Sequence, residues 1–215
     1  LLCLSLSCSL GIHSLAATSD FPYKNPKLSV EQRVSDLLGR MTLEEKVGQL
    51  NMKSLNRLKI DKKGKVTVGS LDSLFNGESI GCLESPFIEH EKIAVYSEAA
   101  DQYLRTKTRL GIPAIQIAEC LHGHMALGAT IFPQSIGLGS TWNPELIQEM
   151  AGVIAEEALL AGVDQALSPL FDIARDPRYG RVEECYGEDP YLVKEMGVAF
   201  VKGLQGEPVQ SAKGI

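Results

Sequence analysis

Residues 176–190 read DPRYGRVEECYGEDP, and they come directly after the apolar run from Val163 to Ile173. Seven of these fifteen positions are charged (Asp176, Arg178, Arg181, Glu183, Glu184, Glu188 and Asp189). Proline and glycine at both ends forbid one continuous charged helix. The stretch is therefore a shaped polar loop behind a buried strand, which is where a parallel α/β fold carries its chemistry.

The same strand–loop–helix phrase recurs on either side of it. Ile112–Ala118 (IPAIQIA) is a short apolar run, read as a buried strand that delivers Glu119 at its carboxyl end. Polar Glu119, His122 and His124 then form a turn with Gly123, and a Gly-rich stretch runs from Phe132 to Gly139. Asn143-Pro144 is an N-cap followed by proline at the first helical position, opening a helix whose apolar face is Leu146, Met150, Val153, Ile154 and Ala158 and which stops at Gly162. Val163–Leu170 is the next strand. Asp189-Pro190 starts another helix, with Leu192, Val193, Met196, Phe200 and Val201 on its buried face.

Toward the amino terminus, Ser29 and Gln32 have capping-box spacing before a helix over Val30–Met41, and Thr42 and Glu45 repeat the device before Leu43. The polar segment 56–76 offers only a possible strand at Lys65–Val68, Ile80–Leu83 suggests a short strand, and Glu89–Thr108 has helical apolar spacing. Helix and strand alternating through short connections predict an α/β fold with a parallel sheet, either a barrel or a doubly wound sheet. Three or four such units fall short of the eight that close a barrel.

The 215 residues, 44% hydrophobic, suffice for a real core. A net charge of −6 with scattered Lys and Arg leaves no basic face, so nucleic acid is not an expected partner. Residues 1–17 (LLCLSLSCSLGIHSLAA) are apolar, Ser-rich and uncharged, and read as the remnant of a secretory signal, with a disordered leader as the alternative; they are too short and polar for a membrane span. Export to the periplasm or the exterior follows from that reading. Cys82, Cys120 and Cys185 are odd in number and lack CxxC spacing, which fits free buried thiols better than a zinc cluster or disulfide framework.

Glu119 and Arg181 each follow a buried strand, at one edge of one sheet if the units are parallel. A carboxylate there can accept sugar hydroxyls, and a guanidinium offers a planar fork to vicinal hydroxyls or to another carboxylate. The alternative is an ion network that only pins the loop, Arg178 or Arg181 with Glu183, Glu184 or Asp189. Glu119, His122 and His124 are spaced poorly for zinc, so no metal and no cofactor is expected. Gly137-Leu138-Gly139 is not a phosphate loop, no Gly-x-Ser-x-Gly elbow exists, and Trp142 before an N-cap is read as a core or staple residue sooner than a sugar platform.

The motifs LGIP (110–113), ECLHG (119–123), ATIFPQ (129–134), GLGSTWNP (137–144), DPRYGR (176–181) and YGEDP (186–190), in this order, resemble glycoside hydrolase family 3, the β-glucosidase and β-xylosidase family. The resemblance runs from about Pro26 to Gly206. It implies that residues 18–215 are the amino-terminal part of a (β/α)8 TIM-like barrel, truncated before closure. It also implies a retaining, exo-acting β-glycosidase, β-glucosidase first, taking oligosaccharides or β-glycosides. A β-xylosidase or a non-catalytic sugar-binding module is the alternative. By this resemblance Glu119 and Arg181 bind the terminal sugar and His122 is structural support. Glu119 stands where many β-glucosidases have Asp, and its extra methylene would favour a pentose. The nucleophile and the acid/base have no counterpart up to Ile215, so residues 1–215 alone are expected to be inactive.

Overall fold

The structure is a computed structural model that describes residues 21–85, 87–206 and 214–215. The expected signal segment, with Cys3 and Cys8, lies outside the described residues. The chain divides into two compact units, one up to Thr42 and one from Leu43.

In the first unit, helix α1 spans Val30–Arg40 and its start follows from side-chain chemistry. Ser29 Oγ accepts the Gln32 N–H at 3.3 Å while Gln32 Oε1 accepts the Ser29 N–H at 3.1 Å. Each end of this capping box satisfies an amide that the first turn would otherwise strand.

The second unit holds helices α2 (Leu43–Gly48), α3 (Val68–Phe75), α4 (His90–Lys107), α5 (Ser135–Gly139), α6 (Pro144–Leu160) and α7 (Pro190–Gln205). Its strands are β1 (Met52–Ser54), β2 (Cys82–Glu84), β3 (Ile115–Ala118) and β4 (Gln165–Ala166). They form one sheet in the order β1-β2-β3-β4, every pair parallel. Spatial order equals chain order, so the described strands contain none of the order reversal that defines a doubly wound sheet. The barrel-type reading of the α/β fold holds, with the sheet open among the described residues.

Alternation along the strands sorts the two faces of the sheet. Leu83 is fully buried in a cluster with Leu55, Leu71, Leu74, Phe75, Tyr96, Tyr103 and Leu104, and Lys53 Nζ donates to the Leu74 carbonyl at 2.8 Å. Ala118 joins a second cluster with Ile147, Ile154 and Ala158 of α6 and Val193, Met196 and Phe200 of α7. Residues in register with these face the helices. Their neighbours Met52, Cys82, Glu84, Ile115, Ile117 and Gln165 therefore lie on the opposite face, where Met52 and Ile115 are half exposed.

Several expectations need correction. A three-residue strand with lysine at its centre shows no period, and β1 went unforeseen. The strand expected at Lys65–Val68 shrinks to one bridge between Ile60 and Val66, because Val68 opens α3, whose Leu71, Leu74 and Phe75 are buried. The strand at Ile80–Leu83 is shifted to Cys82–Glu84, and Val163–Leu170 pairs only at Gln165–Ala166. Leu167 N still donates to the Ala118 carbonyl, but Pro169 has no N–H with which to continue the ladder. In α6, Met150, Ile154 and Ala158 are buried as expected, but Leu146 and Val153 are 46% and 44% exposed and Ile147, Ala151 and Ala155 face inward instead. In α7, Val193, Met196 and Phe200 are buried as expected and Leu192 packs partly buried against the same cluster, with Ala199 and Leu204 buried besides and Val201 only partly covered. Trp142 is 70% exposed with φ of 53°, so it is neither core nor staple.

Helices α6 and α7 touch through small residues. A Cβ at Gly203 would run into the Gln148 carbonyl and the Ala151 side chain, whereas one at Gly152 would meet nothing. Gly203→Val is expected to destabilise by about 1–3 kcal/mol through overpacking. Gly152→Ala should be neutral or stabilising by up to about 1 kcal/mol. Urea midpoints of the two variants check this; equal midpoints would contradict the packing.

Candidate functional site

The parallel sheet brings the carboxyl ends of all four strands to one edge, and the polar side chains there can be taken in turn. Glu119 follows β3 immediately and is half-buried. Its carboxyl lies above the usual carboxylate range: burial is the main cause, the Arg181 charge opposes it, and Glu184 and Glu84 add to it. Glu119 thus lies within the field of all three charges. Neither Glu119 nor Glu84 makes a side-chain hydrogen bond or ion pair with the described residues.

Arg181 sits at the start of a 3-10 turn, Val182–Glu184. Its Nε donates to Glu184 Oε1 at 2.8 Å and its Nη2 to Glu184 Oε2 at 2.5 Å, a two-point fork. The turn is tied down from behind: Cys185 N donates to the Val182 carbonyl at 3.1 Å, and Cys185 Sγ to the Arg181 carbonyl at 3.3 Å. The buried Tyr186 follows, its carbonyl so close to Gly139 that a Cβ there would collide with it. Arg181 remains half exposed, with N–H groups beyond those given to Glu184.

The rest of the loop divides by role. Ala174 N donates to the Gly187 carbonyl at 3.0 Å and closes the loop's base. Asp189 caps α7 by accepting the Leu192 N–H at 2.8 Å. Asp176 pairs with Arg178, which is 89% exposed and turned to solvent. Glu188 is exposed and makes no hydrogen bond or ion pair with the described residues, so it has no share in the scaffold.

Beside Glu119, the turn is built on histidines. His122 Nδ1–H donates to the Phe132 carbonyl at 2.9 Å and Phe132 N returns a bond to the His122 carbonyl at 2.7 Å. Gly123 has φ of 140° with its missing Cβ against the Thr130 carbonyl, a place open only to glycine. His124 is fully buried, its ring edge-on to His90 at 5.2 Å, and neither of its nitrogens is bonded. Burial first, and His90 second, lower its pKa to about 4. His90 Nε2–H donates to the Glu157 carbonyl at 2.7 Å, and the Glu157 carboxylate accepts Thr130 N–H and Oγ1–H, pinning the turn to α6. Burial, then Glu119, pushes the Cys120 thiol up to about 12, which disqualifies it as a nucleophile near neutrality.

The structure therefore brings Glu119 and Arg181 to one edge, with Arg181 held by Glu184. Glu84 and Glu184 beside them were not singled out as site residues in the sequence. The signal for Glu84 was present, an acid directly after an apolar run, as for Glu119. Among the described residues no group of three or more His, Cys, Asp or Glu side chains is placed to hold a metal ion, and no helix is long and apolar enough to cross a membrane. Cys82, Cys120 and Cys185 are free, Cys82 being only half-buried.

A sequence model of the glycosyl hydrolase family 3 N-terminal domain matches residues 42–213. The chain belongs to glycosyl hydrolase family 3. It is 33% identical over 193 residues to a putative beta-xylosidase of Formosa agariphila, covering 88% of this chain and 25% of that protein. It is 33% identical to beta-glucosidase C of Emericella nidulans (95% and 34% covered) and to a periplasmic beta-glucosidase of Salmonella typhimurium (93% and 25%). The chain thus spans about a quarter to a third of the length of these relatives. Among solved structures, a β-glucosidase from Erythrobacter marinus superposes with a TM-score of 0.75 at 33% identity, over 91% of this chain and 26% of that one. A mutant β-glucosidase from Listeria innocua in complex with laminaribiose superposes with a TM-score of 0.65 at 35% identity, over 84% and 24%.

Two measurements test this family 3 site. The Glu119 carboxyl, followed by carbon NMR through a pH titration, should ionise above an exposed glutamate; Arg181→Ala should raise its pKa further, and Glu184→Gln should lower it. The second concerns His124. Its folded pKa near 4 lies below the unfolded value near 6.5, so its contribution is present above pH 6.5 and is lost as pH falls toward 4. The loss is about 3 kcal/mol at most. His124→Leu should flatten that part of the stability profile, measured by urea midpoints at pH 7 and pH 4.5; parallel profiles would contradict a neutral buried imidazole.

Proposed function

We propose that the full-length protein is a retaining, exo-acting β-glycosidase that releases terminal non-reducing β-D-glucosyl residues from oligosaccharides. The reading is carried by Glu119 standing at the end of β3 beside Arg181 in a family 3 chain. Glu119 accepts hydroxyl hydrogens of the terminal sugar, and Arg181, aimed by Glu184, donates its free N–H groups to neighbouring hydroxyl oxygens. A raised Glu119 pKa suits a binding role also, since a hydroxyl-binding carboxyl partly stripped of water gains when the sugar replaces that water.

Retaining hydrolysis needs two carboxyl groups about 5–5.5 Å apart, one attacking the anomeric carbon and one protonating the leaving oxygen. In our reading both come from outside residues 1–215. The barrel of which residues 18–215 form the first part is completed there, over the face bearing Met52, Ile115 and Ile117. Residues 1–17 direct export, in keeping with a relative that is periplasmic.

β-Xylosidase is the second reading, favoured by the methylene that distinguishes Glu119 from Asp and by the relative of that name.

The test is turnover of nitrophenyl β-glucoside and β-xyloside by the full-length protein. Arg181→Ala should lower kcat/KM by about 10–100-fold, the scale of a lost charged hydrogen bond, while Glu188→Ala leaves both turnover and stability within error. Residues 1–215 alone should release no nitrophenol. An inactive full-length protein, or an Arg181→Ala variant as active as the parent, would discard the assignment.

A further inference from the structure

Resting on that reading, we propose that Glu84 is a further sugar-binding residue of the same subsite, a second hydroxyl acceptor supplied by β2. Glu84 is opposite Ile117 in the parallel pair, and Ser85 N donates to the Ile117 carbonyl at 2.9 Å, so the ladder continues to the end of β2. Leu83 before it and Ser85 after it are buried, while Glu84 is only partly so. Glu84 thus belongs to the face opposite the helices, with Ile117, and alternation places Glu119, two residues beyond Ile117, on that face as well. From a rise of ~3.3 Å per residue and a strand spacing of ~4.8 Å, the two glutamate Cα atoms are about 8 Å apart on the diagonal. One small ring can lie between side chains so placed and touch both.

The electrostatics need an explanation that the described residues do not contain. Glu119 stands in the field of Glu84, of Glu184 and of one guanidinium, and that guanidinium is already engaged by Glu184. Glu84 has no hydrogen bond and no ion pair among the described residues, although lysine or arginine at a neighbouring position would have neutralised it cheaply. A partly buried carboxylate next to the like charge of Glu119, with no donor of its own among the described residues, gains when it accepts O–H groups. The matching ligand is one dense in hydroxyl donors, which a terminal sugar is. Glu119 and Glu84 would then accept from different hydroxyls of one ring, while Arg181 donates.

The test couples protein and substrate in the full-length protein. Glu84→Ala should lower kcat/KM on nitrophenyl β-glucoside by about 10–100-fold, with Glu84→Gln, which keeps an acceptor oxygen, recovering part of the loss. Thermal midpoints should stay within error of the parent. The decisive readout is a series of monodeoxy glucosides: for one of them, removing the sugar hydroxyl should cost the parent enzyme about tenfold or more and the Glu84→Ala variant almost nothing. A purely structural role would not produce that selective coupling. If Arg181→Ala is impaired but Glu84→Ala is not, or if every deoxy substrate carries the same penalty in both enzymes, this inference falls and the glycosidase reading stands. A full-length protein that turns over no β-glycoside at all overturns both.

Discussion

Two parallel strands cannot be joined by a tight turn, because the chain must return the whole length of the first strand before it can begin the second. That constraint shapes everything else in the second unit. Each return is made by a helix, each helix needs a stripe of apolar residues against the sheet, and each strand is left pointing its carboxyl end the same way. Three short strands, β2, β3 and β4, with little sequence in common thereby deliver Glu84, Glu119 and the charged loop to one edge. The convergence of these side chains is a property of the topology before it is a property of any one residue.

The site that results is held by polar contacts of unequal kinds. The Arg181–Glu184 fork is a close i,i+3 pair with the carboxylate well covered and the guanidinium half open, so it fixes direction while leaving donors to spare. Asp176–Arg178 has comparable distances but lies in solvent, where such a pair contributes little to stability. On the other side of Glu119, the turn is held by the His122–Phe132 exchange, which engages the Phe132 main chain, and by the Glu157 carboxylate, which accepts from the Thr130 N–H and hydroxyl. The charged loop is thus a positioning device with one functional group, and the histidine turn is its counterpart on the far side of Glu119, anchored to Phe132 and to α6.

Legibility in the sequence followed the strength of local rules. The cap at Ser29 with Gln32, the Asn143-Pro144 and Asp189-Pro190 helix starts and the run ending at Ala118 were readable because each is set by residues within four positions of one another. β1, the limits of β4 and the part that Ile147, Ala151 and Ala155 play in the inward face of α6 were not, since they are decided by partners far away in the chain: β1 exists by pairing with Cys82–Glu84, and Ala151 packs where Gly203 lets α7 come close. Glu119 and Arg181 could be picked out because acids and arginines after apolar runs are conspicuous. Glu84 shares that feature and was passed over, the run before it being too short to stand out from a polar neighbourhood. That Arg181 pairs with Glu184 rather than with Glu183 is a matter of helical spacing within one 3-10 turn, visible only once the turn is.

Trp142 occupies a left-handed backbone conformation just before the α6 cap, and it is the single tryptophan of the chain. With 70% of its surface in water, its indole already emits from a solvent-like environment in the folded state. Loss of the core would barely shift that emission. The optical signal most often used to follow folding therefore reports on one exposed turn of this protein, and the packed interior is visible instead through its buried tyrosines, Tyr103 and Tyr186 among them.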